Sequence, residues 1–331
     1  MTPGSSYFAQ VIAVAPTGYT SATSATSASS ALATVQLNAP VITAVLPSTT
    51  TTGQITIAFT ASSNAPGGQS YTAKACTDSL MSLNCVSHTG YTSGSQFTAL
   101  TTGSNYFATI SAVASTGYLA ATTASSGPAL ATIQLTTPTG VTLNYGASAG
   151  SVNVVFTGSS NAPGGETYTV TACTNSGMSS GCVSNANLAS GSDLTGLNFT
   201  QGSVGTNYFV TVQANATSGY LASAATATVS HAETSLIGTP SVTGGTTPNG
   251  AGGRITISYA GSSGTAPSSY TLLACTNTGM TTGCHTYATF VSGTTVTGLT
   301  SLATYYVTIT AVAPTGYLNS TSAVAGPYQA S

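Results

Sequence analysis

The residues best equipped for covalent chemistry are six cysteines, and they fall into three pairs: Cys76 and Cys85, Cys173 and Cys182, Cys275 and Cys284. Eight residues separate the members of each pair, and the first members lie 97 and 102 residues apart. An even count, one pair per stretch, points to local disulfides formed in an oxidising compartment. Closing so short a loop stabilises a fold by about 2–3 kcal/mol through the entropy it removes from the unfolded chain. Zinc is the competing chemistry, but a zinc site takes four Cys or His ligands, and only His285 stands beside a pair.

The remaining reactive side chains do not converge. His88, His231 and His285 occupy different places in the sequence pattern, and Asp78, Glu166, Asp193 and Glu233 are scattered. Paired carboxylates for glycoside hydrolysis need two acids at one cleft, and calcium needs several clustered oxygens. Nothing among the many serines resembles a nucleophile elbow, a sharp strand-to-helix turn, because no helical period follows any of them. The expectation is no catalytic residue, no metal, no cofactor and no enzyme activity. Charged residues make up 2% of the chain, and Lys74 and Arg254 are its only bases. A nucleic-acid partner would need many more to neutralise phosphates. Thr, Ser and Gly break each apolar run well short of the roughly 20 residues of a membrane span. The first residues lack the basic region and apolar core of a leader.

The elements that carry these residues repeat. An aromatic doublet occurs four times, at Tyr7-Phe8, Tyr106-Phe107, Tyr208-Phe209 and Tyr305-Tyr306. A Gly-Tyr turn follows each, at Gly18-Tyr19, Gly117-Tyr118, Gly219-Tyr220 and Gly316-Tyr317. Within each period apolar residues alternate with polar ones: Ile55, Ile57 and Phe59; Val152, Val154 and Phe156; Ile255, Ile257 and Tyr259. Period-two alternation predicts half-buried strands, and no sustained 3.6 period appears. Prolines Pro40, Pro138 and Pro240 open the periods. They divide the chain into 1–37, the last strands of an incomplete sandwich, and three sandwich repeats, 38–135, 136–235 and 236–331. The linkers are very short, which predicts a stiff rod. The first segment supplies two strands, so its partner strands are expected upstream in a longer polypeptide or from another subunit.

Several features together resemble the fibronectin type III family. They are the strand ending in Phe59, Phe156 or Tyr259; the strand opening with Tyr71, Tyr168 or Tyr270; and the turn Thr297-Gly298-Leu299 leading into Tyr305-x-Val307-x-Ile309-x-Ala311. Phe or Tyr stands where the family usually has Trp. The resemblance implies an all-β chain of tandem seven-stranded fibronectin type III/immunoglobulin-like β-sandwiches in a rod-like array. It also implies that the leucine and tyrosine before the sixth strand anchor the corner between the sheets.

Candidate contact residues follow from the repeat. Met81, Met178 and Met280 lie inside the cysteine loops, either plugging their own repeat or docking into a neighbour. Tyr118, Tyr220 and Tyr317 cap an edge or stack on sugars or a second rod, and Phe107, Phe209 and Tyr306 fall on the outer sheet face. Asn198, Asn215 and Asn319 match the N-glycosylation pattern. A surface almost without charge suits domains packed into a polymer, with glycans as an addition. The leading expectation is a structural subunit of an extracellular filament, sheath or cell-surface appendage that self-associates. The alternatives are the stalk of a cell-surface adhesin, or spacer modules of a secreted glycoside hydrolase.

Overall fold

The structure is a computed structural model and describes residues 1–2, 4–250 and 252–331. It is all β, with no helix among the described residues. Contacts divide the chain into two compact units: Met1–Leu135 with Ala216–Ala222, and Thr136–Asn215 with Ser223–Ser331.

The first unit contains one sandwich. One sheet places Ile55–Thr60 between Val41–Pro47 and Gln96–Phe97. The other runs Ala121–Thr122, Asn105–Ala112, Tyr71–Cys76, Val86–Thr89, with Ala129–Leu130 also paired to Asn105–Ala112. All of these pairs are antiparallel. Alternation decides the faces: Ile55, Ile57, Phe59, Tyr71, Ala73, Ala75, Tyr106, Ala108 and Ile110 point between the sheets into one core.

The second unit contains two sandwiches of the same order. Val152–Thr157 is flanked by Thr139–Tyr145 and Ser192–Leu194, against Val183–Asn185, Tyr168–Cys173, Asn207–Ala214 and Val229–Ala232. Ile255–Ala260 is flanked by Ser241–Thr246 and Thr294–Val296. It faces His285–Tyr287, Ser269–Cys275 and Thr304–Val312, with Ser320–Thr321 and Ala325–Gln329 closing the last sheet. Each sandwich has its own core, around Val154 and Val212 in one and Ile257 and Ile309 in the other. The first strand of every sandwich carries a register shift at the same place, between Ile42 and Ala44, Thr139 and Thr142, and Val242 and Gly244. A bulge there twists an edge strand away from flat pairing, which compensates for the missing charged residues that normally guard an edge.

Buried tyrosines set the corners. The hydroxyls of Tyr106, Tyr208 and Tyr305 accept the N–H of Thr101, Asn198 and Thr300 at 3.0, 2.9 and 3.0 Å. Leu100, Leu197 and Leu299, each one residue before those amides, are buried. Thr2 and Tyr7 repeat the bond at 2.6 Å. A second set, Tyr71, Tyr168 and Tyr270, takes the N–H of Ser62, Ser159 and Ser262. Both groups satisfy backbone donors that no ladder reaches.

Residues 6–32 form a hairpin, Ser6–Tyr7 with Ala31–Leu32 and Ile12–Ala13 with Ala22–Thr23. Val11 is 71% exposed there, whereas its counterparts Ile110, Val212 and Ile309 are 0% exposed.

Candidate functional site at the repeat junctions

One arrangement recurs three times and is the most specific construction in the molecule. The residues that leave one repeat form a short parallel strand against the residues that follow a Gly-Tyr turn in the next. Val35–Gln36 pairs with Tyr118–Leu119, Ile133–Gln134 with Tyr220–Leu221, and Ser235–Leu236 with Tyr317–Leu318. These are the only parallel pairs among the described residues. The bonds are the same in each case. Val35, Ile133 and Ser235 donate to the carbonyls of Gly117, Gly219 and Gly316 at 3.0 Å, and Leu37, Leu135 and Ile237 donate to Leu119, Leu221 and Leu318. Leu37, Leu135 and Ile237 are all buried.

Side chains fasten two of these strands. Gln36 Nε2 donates to the carbonyls of Leu119 and Ala120, and Gln134 Nε2 to those of Leu221 and Ala222. The Asn-Ala-Pro-Gly-Gly loops contribute as well. Asn64 Oδ1 accepts the Asn38 N–H at 2.7 Å while its Nδ2 donates to the Gln36 carbonyl, and Asn161 Oδ1 accepts the Thr136 N–H at 2.9 Å.

The junction at 235–236 is built differently. Leu236 replaces the glutamine, and Gly264 stands where the other two repeats have Asn64 and Asn161. Residues 198–207 take their place, because the stretch between Leu197 and Tyr208 is five residues longer than that between Leu100 and Tyr106. Gln201 Nε2 donates to the Ile237 carbonyl at 3.1 Å and to Thr239 Oγ1 at 2.8 Å, and the Thr265 N–H donates to the Gly202 carbonyl at 2.9 Å. A Cβ at position 264 would lie 1.7 Å from that carbonyl, so the approach itself requires glycine. Tyr145 packs edge-on against His231, with ring centroids 4.6 Å apart, and lies over Gly316. Thr265 Oγ1 donates to the Tyr317 hydroxyl at 3.2 Å.

Tyr118, Tyr220 and Tyr317 are therefore half-buried parts of these strands, whereas Tyr19 is 78% exposed. Their backbone roles were not visible in the sequence. The signal that could have revealed them is the recurrence of Val35-Gln36-Leu37 as Ile133-Gln134-Leu135, just before each linker.

The cysteine pairs are joined as Cys76–Cys85, Cys173–Cys182 and Cys275–Cys284, with no free cysteine among the described residues. The first member of each is buried and the second exposed. Asp78, Asn175 and Asn277 organise the loops by accepting two backbone N–H groups each, those of Ser82 and Leu83, Ser179 and Ser180, and Thr281 and Thr282. This is the local side-chain-to-backbone bonding that favours Asx residues in turns. The Leu83 and Ser82 bonds hold the Asp78 carboxyl below its ordinary range. Met81, Met178 and Met280 are half-buried at φ 59°, 52° and 54°, and Lys74 Nζ donates to the Met81 carbonyl at 2.7 Å. Asp78 sits beside Cys76 and Cys85, but both sulfurs of that cluster are consumed in the disulfide and cannot act as thiolate ligands.

Phe107, Phe209 and Tyr306 are half-buried and pair across the strands with Cys76, Cys173 and Cys275. Cross-strand partners share a face, so these rings cover the buried ends of the disulfides. The three glycosylation candidates differ. Asn198 is exposed, and its backbone N–H and carbonyl both bond to the Tyr208 hydroxyl. The Asn319 side chain accepts the Ala313 N–H and is exposed. Asn215 is committed on both sides: Nδ2 donates to Thr167 Oγ1 and the Ala186 carbonyl, and Oδ1 accepts from Thr169 Oγ1.

No helix of the described residues is long and apolar enough to cross a membrane. No family model matches the chain, and no curated protein matches it. Among solved structures, the crystal structure of the chicken CNTN1 FN1–FN3 domains matches at 11% identity. It covers 89% of this chain and 98% of that one, with a TM-score of 0.41. By its own sheet order the chain is an array of antiparallel β-sandwiches, each with a three-stranded sheet and a four- or five-stranded one; tandem fibronectin type III domains are what it is similar to.

Proposed function

We propose that this protein is a structural subunit of an extracellular filament, sheath or cell-surface appendage, acting through stiffness and self-association and carrying no catalytic role. The observation that carries the reading is the threefold parallel pairing at Val35–Gln36, Ile133–Gln134 and Ser235–Leu236. A connector meant to be flexible would be left unpaired and rich in Gly or Ser. Here each connector spends its N–H groups on the following repeat. Three disulfides support an oxidising, extracellular setting. A chain with 2% charged residues supports lateral packing, because assembly has few ions to desolvate.

Negative-stain electron microscopy of the purified, non-reduced protein at low and high salt tests this. The expected result is long regular filaments at both. Separate short rods at both, or polymers that dissolve in moderate salt, would overturn it, and the rods would favour an adhesin stalk or a spacer.

A further inference from the structure

Glu233 stands where the other repeats have alanine. Its counterparts are Ala33, Ala131 and Ala330, and each donates its N–H to the equivalent carbonyl, as Glu233 does to Thr206 at 3.1 Å. Ala131 and Ala330 belong to the cores of their sandwiches. Glu233 is equally enclosed, at 1% exposure, and neither carboxylate oxygen has a hydrogen-bond partner. Gly205 makes room for it: a Cβ there would lie 2.7 Å from the Glu233 carbonyl and 3.1 Å from Oε2.

The side chains around it do not offset a charge, and the backbone N–H groups of Glu233 and Thr206 oppose the effect of burial only in part. Tyr208, on the hydrogen-bonded neighbouring strand, exchanges its hydroxyl bonds with the backbone of Asn198. His231 directs Nδ1 to the Ala232 carbonyl and its ring to Tyr145. Asp193, in the other sheet of the sandwich, is itself an acid and is bonded to Ala147 and Asn153. Arg254 is exposed, and no cation pairs with Glu233 among the described residues. Two residues further on, Ser235 begins the parallel strand to Tyr317.

We propose that Glu233 makes the junction at 235–236 proton-sensitive: the neutral acid is the form the folded repeat accommodates, and ionisation loosens the strand that holds the next repeat. Burial raises its carboxyl above the ordinary glutamate value, as geometry requires. The folded state then binds the proton more tightly than the unfolded state. Stability is fully present below the ordinary value and is lost as pH rises through the elevated one. The loss is at most about tenfold in the folding equilibrium per pH unit within that window.

The test compares the full chain with Glu233→Ala, which restores the residue of the other repeats, and with Glu233→Gln. Denaturant unfolding is followed from about pH 4 to about pH 8, with amide exchange of Ser235 and Ile237 corrected for intrinsic rates. Glu166, whose carboxyl burial also raises, is retained in all three proteins, so their difference isolates Glu233. The expected result is that the parent loses stability and protection with rising pH, up to about tenfold per unit, while both variants lack that component. Parallel pH profiles for the parent and both variants would overturn the proposal, as would a Glu233→Ala protein less stable than the parent at neutral pH.

Discussion

The amide of Ser235 donates to the carbonyl of Gly316 at 3.0 Å, joining residues 81 positions apart through the last connector of the chain. Ser235 is buried, so its N–H has no water to fall back on. Replacing it with proline removes the donor and leaves the Gly316 carbonyl unpaired. We expect Ser235→Pro to cost about 1–3 kcal/mol in denaturant unfolding. Cleavage by a protease at the connector should increase in parallel.

Gly316 is held by both its backbone and its neighbour. Its φ is +88°, and an added Cβ would lie 2.6 Å from the Tyr145 ring. Gly316→Ala is expected to destabilise the second unit by about 2–3 kcal/mol through overpacking and strain together. In a Tyr145→Ala background the ring is absent and only the strain remains, so the same change should cost about 1 kcal/mol. A double-mutant cycle by thermal or denaturant unfolding reads the difference as coupling.

Each disulfide spans a sequence separation of 9, inside a loop that Asp78, Asn175 or Asn277 already organises. Replacing both Cys173 and Cys182 by serine should lower stability by about 2–3 kcal/mol. Asn175→Ala should remove a further increment of about 1 kcal/mol. Calorimetry on the parent and the two variants separates the contributions.

Asn215 and Asn198 are expected to behave oppositely. Asn215→Ala strips two donors and one acceptor from a half-buried network and should cost about 1–3 kcal/mol. Asn198→Gln should change stability by less than about 0.5 kcal/mol. Glycopeptide mass spectrometry of native material is expected to find any glycan at Asn198 or Asn319 and none at Asn215.

Much of this architecture is legible in the sequence because it rests on periodicity. Ile55, Ile57 and Phe59 announce a strand by alternation, and the cysteine spacing and Tyr-Leu corners repeat closely enough to align the sandwiches by eye. The junction chemistry is not legible in the same way. Val35–Gln36 is two residues long, too short for any period, and its partner lies 83 positions away. The glutamines act through Nε2 on distant carbonyls. Glu233 reads as one of four scattered acids until alignment with Ala131 and Ala330 places it in a core. Phe107 reads as an outward aromatic, and only the register with Cys76 shows what it covers.

Backbone amide exchange at the connectors tests the central claim most directly. Val35, Leu37, Ile133, Leu135, Ser235 and Ile237 each donate to a carbonyl of the following repeat. The account predicts that all six exchange slowly, with protection comparable to the strands around them. Exchange at the rate of an unstructured linker would contradict it, because the repeats would then be joined by chain alone.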